Sequence, residues 1–357
     1  MSTGPTKPRV IQWATGQTGM FALRNLLDSN DYTLTGVRVY DSAKVGIDAG
    51  ALCGRADIGL PTTDDRDALI ASQADIVLYM GKVETDTPGC LADVCELLAS
   101  GKDVIATGSR FTHPRSMDAG MAEAIEAACA QGNATFLGLG LFPGFYGEIL
   151  APVLSRLTQT TSRISVREVI NYATYASADL MFDTMGFAHL PEDKSPALAN
   201  EEYAAAVWIG TATILAHALG LRIDSVEGYR HVATTPRDLE VAAGRIPAGT
   251  VAAMRFGVSV TCGDTRIDVE HLTRMADDIA PDWPSEIGYE ICYEGEPNIR
   301  VHMVVGAEGE DHSEQGCLAT AMHAVNAIPA VLAAGPGLYD LSTIRPFVRR
   351  PQSAPRS

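Results

Sequence analysis

The run "QWATGQTG" from Gln12 to Gly19 has the residue types and spacing to hold a pyrophosphate. In the G-x-G-x-x-G pattern the first glycine permits the tight strand-to-helix turn. The second lets backbone approach the pyrophosphate, and the third lets the helix pack closely on the strand. Here the three slots hold Ala14, Gly16 and Gly19. The helix that follows would face the phosphates with free N–H groups and its positive end. Thr15, Gln17 and Thr18 add polar groups at the mouth. Ala14 is acceptable in the first slot provided that its backbone needs no positive φ. A glycine turn without a ligand would look the same in isolation; its place after a strand and before a helix favours the nucleotide reading.

Later strand ends should line the same crevice. In "VRVYDSAKVG", Asp41 can bind a ribose 2′-hydroxyl, which suits NAD. Arg38 and Lys44 can face a 2′-phosphate, which suits NADP, while Ser42 serves either and Tyr40 can stack on adenine. The cofactor is therefore read as NADP or NAD, and an ordinary loop explains each of these residues equally. "LYMGKVETDTP" passes Met80, Gly81 and Val83 along the cofactor. "ATGSRFTHP" brings Thr107, Gly108, Ser109 and Arg110 towards the nicotinamide. In "GLGLFPGFYGE", Gly140 and Gly144 flank a sharp turn at Pro143, and the helix starting there is expected beside the nicotinamide amide.

Hydride transfer to a carbonyl or imine leaves charge that wants a proton. On a strand through "REVINYATYA", Glu168, Ile170 and Tyr172 share one face. Tyr172 or Tyr175 can donate a proton and Glu168 can bind an amine, although a half-buried sheet with aromatic pairs accounts for them equally. His271 faces with Val269 and Thr273 and reads as an ordinary sheet histidine. His113, just before Pro114, is a candidate acid, and a turn hydrogen bond explains it as well. The expected pocket lining is Phe142, Phe145, Tyr172, Tyr175, Met181, Phe182 and Phe187. That lining suits a hydrophobic amine, imine or carbonyl compound rather than a dicarboxylate. No His, Asp or Glu spacing resembles a metal site, and no G-x-S-x-G elbow occurs.

These residues need a scaffold, and the chain supplies an α/β one. Apolar runs such as "PRVIQWA", "ADIVLYM", "KDVIATG" and "NATFLGLGLF" alternate with helical patterns such as "GMFALRNLLDS", "TPGCLADVCELLASG" and "SMDAGMAEAIEAACAQG", the last closed by Gly132. This alternation predicts a parallel Rossmann-type sheet over residues 1–143. Residues 144–312 predict an α+β substrate-binding and dimerisation domain with a mainly antiparallel sheet, including a hairpin at Gly263–Asp264. Residues 313–345 predict a helix returning to the first domain, and "RRPQSAPRS" reads as a loose tail.

With 46% hydrophobic residues among 357, the chain can bury a large core without disulfides or metals. A net charge of −17 argues against nucleic acid or an anionic membrane as partner. Seven cysteines without C-x-x-C spacing suit reduced thiols in a cytoplasmic protein. "MSTGPTKPRV" does not read as a signal peptide, and no run of 18 apolar residues predicts a membrane span.

The segments "VYDSAKVGIDAGALCG", "DVIATGSRFTHP", "GLGLFPGFYGEIL" and "APDWPSEIGYEICYEGEP" resemble the dihydrodipicolinate reductase-like superfamily. The nearest branch is that of 2,4-diaminopentanoate dehydrogenases and native amine dehydrogenases. The resemblance implies a Rossmann domain, a second domain that helps to form a homodimer, NAD(P), and hydride transfer at a C–N centre. It also implies a glutamate after "DVIATG", where this chain has Ser109 and Arg110, and often an asparagine where it has Phe142. Serine is a poor general base, and an arginine cannot be deprotonated in a protein. The expected function is therefore an NAD(P)-dependent oxidoreductase acting on a largely apolar amine, imine or carbonyl compound. The alternative is a cofactor-binding sensor or scaffold that has lost turnover.

Overall fold

The computed structural model describes residues 7–349, so most of the expected tail, from residue 350, lies outside the described residues. The chain divides into two compact units. One runs up to Gly140 and resumes at Cys317; the other is Leu141–Gly316.

The first unit opens with β1 (Arg9–Trp13), α1 (Gln17–Asp28), β2 (Thr33–Arg38) and the short helices α2 (Ala49–Leu52) and α3 (Arg66–Ala71). It continues through β3 (Ile76–Tyr79), α4 (Thr87–Ala99), β4 (Asp103–Thr107), α5 (Ser109–Thr112), α6 (Pro114–Met117), α7 (Ala119–Gly132) and β5 (Thr135–Leu139). Alternate residues of the strands meet on one face: Ile11 and Trp13, Val77 and Tyr79, Val104 and Ala106, and Phe136. They pack with Val94, Leu97 and Leu98 of α4 and Met121, Ile125 and Cys129 of α7. Each such side chain contributes about 1.5–3 kcal/mol when fully buried. A second cluster, with Leu23, Val37, Val39, Ala49 and Cys53, includes the buried face of α1.

Two details differ from the sequence reading. The pattern "SMDAGMAEAIEAACAQG" is broken at Asp118, whose extended backbone (φ −160°) ends α6 while its carboxylate accepts the Met121 N–H at 3.1 Å to cap α7. Gly132 is not the closing residue; Asn133 is, in the left-handed region at φ 52°. Gly132 serves close packing, because a Cβ there would come within 1.8 Å of the Leu98 carbonyl oxygen.

The second unit holds a segment Leu141–Leu150 whose Phe142, Pro143 and Gly144 are non-helical, then α8 (Ala151–Leu154), β6 (Thr160–Asn171), a π-helical turn Asp179–Met185 and α9 (Glu201–Ala218). The strands β7 (Ser225–Thr234), β8 (Leu239–Val241), β9 (Gly244–Ile246), β10 (Val251–Cys262), β11 (Thr265–Arg274), β12 (Gly288–Glu296) and β13 (Ile299–Met303) follow. Its six-stranded sheet has the order β13-β12-β6-β11-β10-β7. All neighbours are antiparallel except β6 and β11, and Gly263–Asp264 joins β10 to β11 as the expected hairpin. The unit begins at Leu141 rather than after residue 143. The segment from Leu141 packs against α9, where a Cβ on Gly147 would lie 2.1 Å from the Thr211 methyl group.

Helix α10 (His312–Leu332) carries the chain on, and from Cys317 it belongs to the first unit. The short strand β14 (Gly337–Tyr339), which the sequence reading did not anticipate, then adds to β5. The first sheet is thus fully parallel in the order β14-β5-β4-β3-β1-β2. All seven cysteines are free thiols. Among the described residues no helix is long and apolar enough to cross a membrane, and no group of His, Cys, Asp or Glu could hold a metal ion.

At the amino end of β4, burial pushes the Asp103 carboxyl up to about 6, although it accepts the Thr135 N–H at 2.7 Å. An unfolded aspartate titrates near 3.9, so the folded state holds this proton more tightly. Its stabilising contribution is present below the unfolded value and is lost as pH rises through about 6. Asp103→Asn, which keeps an acceptor for Thr135, should therefore flatten the fall in urea-unfolding stability between about pH 4 and 7. An unchanged pH profile would contradict this account.

Candidate active site

Helix α1 starts at Gly16 with no side chain capping its first N–H groups. A Cβ on Gly16 would meet nothing within 4 Å, so the space in front of the helix is open. A Cβ on Gly19 would lie 2.3 Å from the Ala14 carbonyl oxygen, so only glycine lets α1 approach β1 here. An uncapped helix start, an open cradle and a close helix–strand contact are what a dinucleotide pyrophosphate requires, and the residues fit that group. Ala14 departs from the expectation: its φ is 77°, the conformation that the missing glycine would have adopted without strain. Gln12, fully buried on β1, holds the loop by donating from Nε2 to the Ala14 carbonyl at 2.9 Å. The sequence reading passed over Gln12 because it stands in an apolar strand.

Lys44 Nζ donates to the Thr15 carbonyl at 3.1 Å, which places its ammonium beside the loop. Gln17 and Thr18 occupy the first turn of α1. The Arg38 guanidinium lies 5.0 Å from the Tyr40 ring centroid and 5.9 Å from that of Trp13. The Tyr40 hydroxyl accepts from Trp13 Nε1 at 3.1 Å, and the residue is 45% exposed. Asp41 is exposed, and its carboxylate accepts the Ala43 N–H at 2.9 Å. Met80 follows β3, and its N–H donates to the Trp13 carbonyl at 2.9 Å. Gly81 packs its backbone against the Tyr79 ring. Thr107 ends β4, and Gly108 (φ 124°) turns the chain into α5.

Ser109 and Arg110 open α5, with the Ser109 N–H donating to Glu84 Oε1 at 2.7 Å. His113 lies between α5 and α6 and puts Nε2 3.4 Å from Asp340 Oδ2, both side chains being nearly buried. Its Nδ1 has no hydrogen-bond partner among the described residues. Burial alone would raise the Asp340 carboxyl, but His113, Ser342 and Thr343 together hold it well below the usual range. Asp340 follows β14 and was invisible as a partner in the sequence, because it lies far along the chain from His113.

In the second unit Glu168, Tyr172 and Tyr175 come together around a residue read as ordinary. His271 Nδ1 lies 2.6 Å from Glu168 Oε2, and both side chains are buried. The imidazole is surrounded by Tyr172 (5.7 Å between centroids), Trp208 (5.8 Å) and Phe256 (5.2 Å), and Tyr175 lies 5.5 Å from Tyr172. Tyr289 joins from β12, stacked on Tyr146 at 4.2 Å; burial first, then the Glu168 carboxylate, pushes its phenol well above the ordinary value. Burial pushes His312, beside Tyr289, downwards. Phe142, preceding the cis-linked Pro143, packs on Trp208 at 4.5 Å, and Phe145 lies 6.0 Å from Tyr146. Met181 and Phe187 are fully buried, and Phe182 lies against Gly244 of the β8–β9 turn. The buried Tyr146 hydroxyl, Trp208 Nε1 and Thr273 Oγ1 lack hydrogen-bond partners among the described residues. Unanswered polar atoms are rare in protein interiors, and here three belong to the aromatic and sheet residues around His271.

A parallel sheet with this glycine loop, followed by a mixed-sheet unit, is the plan of the two-domain Rossmann-type dehydrogenases. The family model described as the 2,4-diaminopentanoate dehydrogenase C-terminal domain matches residues 148–349. An amine dehydrogenase of Streptomyces virginiae is 31% identical over 355 residues, covering 95% of this chain and 97% of that protein. The 2,4-diaminopentanoate dehydrogenase of Acetoanaerobium sticklandii is 20% identical over 306 residues, 80% of each chain. The solved amine dehydrogenase of Mycobacterium smegmatis shares the fold at a TM-score of 0.82 and 17% identity, covering 98% of this chain and 99% of that one. The chain belongs to the 2,4-diaminopentanoate dehydrogenase and amine dehydrogenase family, and it is an oxidoreductase.

The loop geometry makes opposite demands at its two ends. Ala14→Gly should raise stability by about 0.5–1 kcal/mol by relieving a positive φ. Gly19→Ala should lower it by about 1–3 kcal/mol, because backbone must move. Urea midpoints of the two variants check both signs.

Proposed function

We propose that the protein is an NAD(P)-dependent amine dehydrogenase-type enzyme that transfers hydride at the C–N or C=O centre of a largely apolar substrate. The observation that carries this reading is the uncapped start of α1 over the open Gly16, in a chain of this family. A bound nicotinamide would supply the hydride. Gly16, Gln17 and Thr18 would receive the pyrophosphate, while Tyr40, Asp41, Arg38 and Lys44 would meet the adenosine end. Thr107, Gly108, Ser109 and Arg110 would flank the nicotinamide. In the second unit, Glu168 would hold the nitrogen of an amine among the rings of Tyr172, Tyr289 and Trp208, whose faces favour a cation. Tyr172, Tyr175 and His113 remain proton-donor candidates in this proposal.

Two further features belong to it. A cytoplasmic location fits seven free thiols. A homodimer fits the outward face of the second sheet, where Arg167, Arg255 and Tyr229 converge on Glu270, and Arg163 and Arg266 on Asp268. Such alternating charge can complement a second copy of itself. One observation favours a second reading, a binding protein without turnover: the positions after β4 hold Ser109 and Arg110 in place of a carboxylate.

Fluorescence titration should show NADH or NADPH binding, and Gly16→Val should weaken it at least about tenfold without lowering thermal stability, since a side chain there fills only the phosphate space. No binding of either dinucleotide would defeat both readings. A carbonyl screen followed at the nicotinamide absorbance, with and without ammonia, then separates enzyme from binder. Preference for dipicolinate-type diacids over apolar carbonyls would overturn the assigned substrate class.

A further inference from the structure

Reductive amination cannot proceed on hydride alone. Ammonia must lose a proton as it adds to the carbonyl carbon, and the carbonyl oxygen must gain two to leave as water. The side chains that open α5 are unsuited to this, Ser109 being a poor base and Arg110 a fixed cation. The structure brings a carboxylate to the same turn from another strand end. Glu84 lies in the loop after β3, which pairs directly with β4. Its Oε1 accepts the Ser109 N–H at 2.7 Å and stands 3.2 Å from where a Cβ on Gly108 would be. The positive φ of Gly108 and its missing side chain permit that approach. Glu84 is half-buried, and this bond to Ser109 is the one hydrogen bond its side chain makes among the described residues. A dinucleotide seated on α1 with its adenosine at β2 runs its nicotinamide half over the carboxyl ends of the neighbouring strands, where this loop lies.

We propose that Glu84 is the carboxylate that handles the proton in the amination step; this rests on the amine dehydrogenase reading above. As the nitrogen of ammonia bonds to the carbonyl carbon, the C=O electron pair moves to oxygen, which takes the proton that ammonium released in becoming ammonia. The nitrogen loses a proton to the Glu84 carboxylate. Glu84, now a carboxylic acid, gives that proton to the hydroxyl as the C–O bond breaks. Water departs, the nitrogen lone pair forms C=N, and the carbon is reduced by the hydride while the dinucleotide is oxidised.

Glu84→Gln keeps an acceptor for Ser109, so it tests the proton rather than the turn. We expect ammonia-dependent kcat to fall at least about 100-fold, with loss of one limb of its pH profile and partial recovery in Glu84→Asp. Binding gives a second readout. A carboxylate near the nicotinamide attracts the cationic oxidised ring, so Glu84→Gln should weaken the oxidised dinucleotide about three- to tenfold relative to the reduced one. Glu96→Gln, on the far end of α4, should change neither measurement. Equal weakening of both dinucleotides with an unchanged pH profile would make Glu84 a ribose ligand and overturn the proposal, as would near-normal turnover in the variant. If the native protein binds dinucleotide but turns over no carbonyl with ammonia, the amine dehydrogenase reading itself fails and takes this assignment with it.

Discussion

The contact between Gly19 and the Ala14 carbonyl is the constraint on which the first unit depends. Helix α1 starts with its N–H groups unanswered because the chain turns from β1 within three residues, and that turn closes only if the helix can press against the strand. A methyl group at residue 19 would sit inside the van der Waals radius of a backbone oxygen that cannot swing aside. Gln12 braces the same oxygen from below, and the Lys44 ammonium holds the next carbonyl. The loop thus presents donors outwards by spending all its acceptors inwards, an arrangement suited to an anion. The strain at Ala14 is tolerated because this surrounding network over-determines its conformation.

The second unit is governed by a different division. Its long strands carry two chemistries on two faces, as the period of two requires. Ile164, Val166, Glu168 and Ile170 of β6 turn to the side that α9 covers, where Gly228 lets the helix come within backbone contact of β7. Arg163 and Arg167 turn the other way into ion pairs with Asp268 and Glu270. Glu168 is the exception on the buried side, and a carboxylate is expensive there unless it is paired. His271, in register with it on the parallel neighbour β11, meets that need. The one parallel pairing of this sheet is therefore also the one that builds its buried polar cluster.

The first unit brings side chains together from different strand ends. Glu84 reaches the turn after β4 from the loop after β3, and Asp340 reaches His113 from the end of β14. Each pairing follows from the parallel sheet, which gathers all its carboxyl ends along one edge regardless of chain order.

What the sequence by itself determined is therefore what periodicity and local chemistry can carry. The alternation of apolar runs and helical stretches specified the parallel sheet and the mainly antiparallel one, because burial on one face imposes its period on the residues. The spacing of Gly16 and Gly19 marked the loop, because that turn needs small residues at those steps. The segments that resemble the amine dehydrogenases marked the family. Only the tertiary structure decided that Ala14 takes a positive φ, that Gly132 is a packing residue and Asn133 the cap, and that β14 completes the first sheet. It also turned His271 from an ordinary sheet residue into the partner of Glu168, and set a carboxylate from position 84 beside Ser109. These outcomes depend on which strands become neighbours and in what register, and that choice is made by the packing of the whole core rather than by any stretch of chain.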